Sequence, residues 1–64
     1  MTINGKKISL EHSYTLEQYL NEKKYQQNRI AVEINGNIIP KSKYHTTTLK
    51  QNDTIEIVSF VGGG

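Results

Sequence analysis

Short runs of alternating apolar and polar residues, interrupted by paired turn residues, set the plan of the chain. Met1 to Ile3 meets the dipeptide Asn4-Gly5, which suits a type I′ hairpin turn because both central positions there take positive φ. A second strand is expected over residues 6–10, with Ile8 and Leu10 on one side and Lys7 and Ser9 on the other. Thr15-Leu16-Glu17-Gln18 then reads as a capping box, the Thr15 hydroxyl accepting from the Gln18 amide while the Gln18 side chain reaches back. Leu16, Tyr19 and Leu20 form the narrow apolar stripe of a short helix over residues 16–24, which must lie on a sheet to be stable. Ile30, Val32 and Ile34 share one face of a strand over 30–34, and Asn35-Gly36 marks a second hairpin. Its return strand, 37–39, stops at Pro40, which cannot donate to a ladder. Residues 41–48 lack periodicity, beyond a 3₁₀ turn near 41–44. Asn52 and Asp53 then shape a polar turn. The strongest strand signal follows at 54–60, with Ile55 and Ile57 facing the core and Glu56, Val58 and Phe60 facing away.

The order strand, strand, helix, strand, strand, turn, strand fits one mixed five-stranded sheet curled around a single helix. The helix supplies the crossover that parallel neighbours require. The predicted class is therefore α+β, of the β-grasp plan. Sixty-four residues make one domain with a modest core. We expect the domain to occupy residues 1–60 and a flexible tail to occupy residues 61–64.

Composition narrows the chemistry. Cysteine is absent, which excludes disulfides, thiolate zinc sites, and any thiol or persulfide carried by this chain. A reducing cytoplasm is the simplest location for such a chain. The first residues lack a signal peptide's apolar stretch, and no apolar run approaches the ~20 residues of a membrane span. The net charge of +2 comes from scattered lysine pairs, so a nucleic-acid partner is not expected. His12 and His45 stand far apart without further ligands at metal spacing, so no metal is expected. The acidic residues offer no close pair for acid–base catalysis, and no catalytic residue is assigned.

The distinctive stretch is Phe60-Val61-Gly62-Gly63-Gly64, which closes the sequence straight after the last strand. Three glycines make an arm slim enough for a channel that any side chain would block. Gly62 and Gly63, with Val61, are assigned to threading, and Gly64 to the reactive end. Glu56, Val58 and Phe60 would form a docking patch beside the arm; the alternative is that Phe60 folds back on the core.

These features resemble the small sulfur-carrier proteins of the ubiquitin-like β-grasp superfamily, specifically the ThiS family of thiamine biosynthesis. The likeness covers the whole chain: the opening Ile-Asn-Gly turn, Val32-Glu33-Ile34-Asn35-Gly36, Ile39-Pro40, Lys43-Tyr44-His45, and Asp53 to Val58 leading into the terminal glycines. The resemblance implies that the Gly64 carboxylate is adenylated by a ubiquitin-activating-like adenylyltransferase that uses ATP. It implies conversion to a thiocarboxylate by a persulfide donor of the cysteine desulfurase or rhodanese type, and delivery of the sulfur to a thiazole synthase. The chain would be a covalent co-substrate, not an enzyme, with no cofactor of its own, and a monomer when free. The alternatives are the small subunit of molybdopterin synthase, a ubiquitin-like protein modifier, and a plain interaction module.

Overall fold

In a computed structural model, residues 1–60 are described. Five strands form one sheet: β1 (Thr2–Ile3), β2 (Lys6–Lys7), β3 (Ile30–Ile34), β4 (Asn37–Ile38) and β5 (Thr54–Ser59). Their spatial order is β2-β1-β5-β3-β4. Both hairpins are antiparallel, β1 runs parallel to β5, and β5 runs antiparallel to β3. The sequence's last strand is thus the central one. The sheet is mixed, as expected, because the helix and the long return carry the chain between β2 and β3.

Helix α1 (Leu16–Glu22) packs its Leu16, Tyr19 and Leu20 stripe on one face of the sheet. The capping box at its start is formed: Gln18 N donates to Thr15 Oγ1 at 3.1 Å, and Thr15 N donates to Gln18 Oε1 at 2.9 Å. The first two helical amides find partners elsewhere. Leu16 N donates to the carbonyl of Thr47 at 2.7 Å, and Glu17 N to that of Tyr44 at 3.0 Å. These satisfy donors that a helix leaves unpaired. The segment read as irregular therefore closes the helix N-terminus.

Element ends are tighter than expected. The second strand covers Lys6–Lys7 and not residues 6–10; Ile8 and Leu10 still pack against the core as partly buried residues. The helix ends at Glu22, two residues early, because Lys23 is its C-cap and Lys24 turns to φ +63°. The strand before Pro40 ends at Ile38, and the last strand ends at Ser59. Two 3₁₀ turns occur, Lys41–Lys43 where one was expected and Gln27–Arg29 where none was. The core holds Ile3, Ile30, Val32, Ile34, Ile55 and Ile57 from the sheet, with the helix stripe above them. It also takes in Met1, Tyr14, Tyr44 and Leu49. Periodicity could not assign those four, since they sit at ends and in turns.

Candidate functional site

The site is built on β5. Its burial alternates, with Ile55 and Ile57 inside and Thr54, Glu56 and Val58 outside. Two strands grip it along the backbone, and two asparagines grip it by their side chains. Asn4 has φ +50°, and its Oδ1 accepts from Ile57 N at 2.8 Å while its Nδ2 donates to Ile57 O at 3.2 Å. One side-chain amide thus continues the β1–β5 ladder past the end of β1. Asn35 has φ +53°, and its Oδ1 accepts from Thr54 N at 2.9 Å. Its Nδ2 donates to Asp53 Oδ1 at 2.9 Å, while Asp53 Oδ2 accepts from Lys50 N, also at 2.9 Å. Asp53 shapes the turn as expected, and its carboxylate is buried and fully engaged. The sequence marked both asparagines as turn residues only. The missed signal is that an amide carries a donor and an acceptor and can stand in for backbone.

Large apolar side chains are exposed on the outer face of the sheet and just beyond the end of β5. Val58 is 59 % exposed and Phe60 53 % exposed, and both lie outside the core cluster. Phe60 does not fold back as a core cap. Ile38, to which the sequence assigned no role, is 76 % exposed. Ala31, Glu33, Ile38, Glu56 and Val58 border a shallow hollow of about 160 Å³ on this face. At the far end of β5, the Phe60 amide donates to the Arg29 carbonyl at 2.7 Å. The chain is therefore anchored up to Phe60, beside a second hollow bordered by Lys24, Tyr25, Gln26 and Arg29. The assigned residues Val61, Gly62, Gly63 and Gly64 lie outside the described residues.

Other chemistry is sparse. Among the described residues, no three His, Cys, Asp or Glu side chains gather as a metal site. His45 is exposed, and exposed His12 lies against the Tyr14 ring with centroids 4.0 Å apart. The Tyr14 hydroxyl donates to Glu22 Oε2 at 2.7 Å. That bond, helped by burial and by the charge of Glu22, pushes the phenol up to about 12. A phenol so held is a structural link between the loop and the helix. Among the described residues, no helix is long and apolar enough to cross a membrane.

The described residues thus place exposed apolar side chains on the outer face of the sheet around its central strand. Comparison with known proteins is consistent with that geometry. The sequence model of the ThiS family matches residues 1–64. The chain belongs to the ThiS family. The ThiS fold is also seen in a crystal structure of a thiamine biosynthesis protein from Geobacter metallireducens, 32 % identical with a TM-score of 0.83. That match covers 98 % of this chain and 96 % of the other, and identifies the sheet and helix as a ubiquitin-like β-grasp. The sulfur carrier protein ThiS of Bacillus subtilis is 37 % identical over 65 residues, covering all of this chain and 98 % of that one. A thiazole synthase from Paramagnetospirillum magneticum is 39 % identical over the whole of this ThiS-family chain, which spans 20 % of that protein's length.

Proposed function

We propose that this protein carries sulfur as a thiocarboxylate on Gly64 and delivers it for thiazole formation in thiamine biosynthesis. The observation that carries the reading is the whole-chain ThiS-family match combined with three glycines, Gly62 to Gly64, two residues beyond the central strand. A carboxylate is a poor electrophile because resonance spreads its charge. An adenylyltransferase partner overcomes this with ATP: a Gly64 oxygen attacks the α-phosphorus, pyrophosphate leaves, and an acyl-adenylate forms. The terminal sulfur of a persulfide then attacks the carbonyl, and AMP departs. A second thiol cleaves the resulting acyl disulfide by exchange, which leaves the thiocarboxylate on Gly64 and a disulfide on the donor. Every thiol in this scheme belongs to a partner, because this chain has no cysteine.

The chain's own part is mechanical. Four residues beyond Phe60 span at most ~14 Å when extended, which sets how deep a partner's active site can lie behind its docking surface. Glu56, Val58 and Phe60 provide the grip, and Val61, Gly62 and Gly63 lead the carboxylate inward. The protein is a co-substrate, and the chemistry belongs to its partners. Pyrophosphate exchange with the adenylyltransferase tests the reading. The full chain should support ATP-dependent exchange, and a chain lacking Gly63 and Gly64 should not. Equal exchange by both would overturn the assignment of Gly64.

A further inference from the structure

The outer face of the sheet holds an arrangement that the fold itself does not require. Glu33 and Glu56 are direct partners in the β3–β5 register. Their neighbours Val32, Ile34, Ile55 and Ile57 point into the core, so both carboxylates stand on the outer face. Like charges directly opposite one another destabilise a sheet. Glu33 also pairs with Ile38 on its other side, so its row continues into an exposed apolar residue. Among the strand residues in register on this face, the nearest cation is Lys7. It pairs with Thr2, which pairs with Thr54, one row away and two strands across from Glu56. A chain of net charge +2 thus places two acids side by side on the sheet face that exposes Ile38 and Val58.

We propose that Glu33 and Glu56 together receive one arginine side chain of a thiazole synthase, making them specificity determinants of that docking. This rests on the reading that the outer face docks such a partner. A guanidinium presents five donors in a plane and can bridge two carboxylates, which a point-like ammonium does less well. Its apolar stem fits the hollow between Ile38 and Val58 that the two carboxylates border. A hard metal ion is a poorer match, since it takes six or more oxygens and apart from the two carboxylates this hollow is bordered by the apolar side chains of Ala31, Val32, Ile38 and Val58. The choice of partner follows from the relatives. Two thiazole synthases, from Paramagnetospirillum magneticum and Magnetococcus marinus, contain a stretch matching nearly all of this chain at 39 % and 34 % identity. In those proteins such a domain and a thiazole synthase share one polypeptide. The repulsion present in the free protein is relieved by the arginine, and the same pair rejects acidic surfaces.

Titration of the full chain against thiazole synthase from the same organism, at about 50 mM and about 300 mM salt, tests this. Glu33→Gln and Glu56→Gln should each weaken binding about tenfold at low salt and flatten its salt dependence. Both variants should raise the urea midpoint of the free protein or leave it unchanged, because a repulsion is removed. Glu56→Lys should weaken binding further, and an arginine-to-glutamate change in the synthase should restore it. Val58→Asp separates the two claims. If Val58→Asp abolishes binding while both glutamine variants bind like the parent with unchanged salt dependence, the arginine proposal is overturned and the docking face stands. If Val58→Asp and the parent bind alike, or the parent does not bind, the docking reading fails and the proposal falls with it.

Discussion

Replacing Asn4 by alanine should cost this small protein about 3 kcal/mol. The Asn4 side chain makes two hydrogen bonds to one residue of β5, accepting from Ile57 N at 2.8 Å and donating to Ile57 O at 3.2 Å. Each is worth ~1 kcal/mol, with the unpaired Ile57 amide at the upper end of that range because its residue is buried. Asn4 also holds φ +50°, where alanine is disfavoured by about another 1 kcal/mol and asparagine is not. For a domain of this size the sum corresponds to a fall in Tm of roughly 12–24 °C. Asn4→Gly serves as the internal comparison. It loses the same two bonds but tolerates the backbone angle, so it should cost about 2 kcal/mol. Urea unfolding followed by circular dichroism measures all three proteins, and hydrogen exchange at the Ile57 amide reports the bond itself. The expected order of stability is parent, Asn4→Gly, Asn4→Ala. An alanine variant within ~0.5 kcal/mol of the parent, or an Ile57 amide that exchanges no faster, would refute the view that this side chain pins β5.

Three further outcomes follow from the same structure. Thr15→Ala breaks the capping box and should lower stability by about 1 kcal/mol, read from the urea midpoint. The Tyr14 phenol, raised by its bond to Glu22 from 10.0 to about 12 in the folded state, favours the fold fully below pH 10. Its contribution declines as pH rises from 10 towards 12, because the unfolded chain loses that proton first. Urea midpoints at about pH 9 and about pH 11 should therefore fall more steeply for the parent than for Glu22→Ala. Phe60→Ala removes an exposed ring, so the urea midpoint should hold within ~1 kcal/mol while the KM of the adenylyltransferase for this protein rises about tenfold; an unchanged KM would remove Phe60 from the docking patch.

The fold was legible where local chemistry decides it. Both Asn-Gly turns have φ values that only glycine and asparagine accept easily, and Thr15 to Gln18 forms the capping box its spacing announces. The alternation of Ile55 and Ile57 against Glu56 and Val58 placed the last strand's faces correctly. What was not legible depends on residues distant in sequence. Tyr44 and Leu49 are core residues because their segment folds over the start of α1, and no period marks that. Strand ends were overestimated because pairing stops where a partner runs out: past Lys7, β2 faces only Met1, to whose carbonyl Ile8 N still donates at 2.8 Å. The exposed patch was half visible. Val58 and Phe60 followed from alternation, whereas Ile38 joined them only through its register with Glu33.

The proposed sulfur transfer rests on a single group, the Gly64 carboxylate. Intact-mass analysis after incubation with the adenylyltransferase, ATP and a persulfide donor tests it most directly. We predict an oxygen-to-sulfur mass change that fragmentation localises to Gly64. An unchanged mass, under conditions that convert the Bacillus subtilis sulfur carrier in parallel, would contradict thiocarboxylate formation on Gly64.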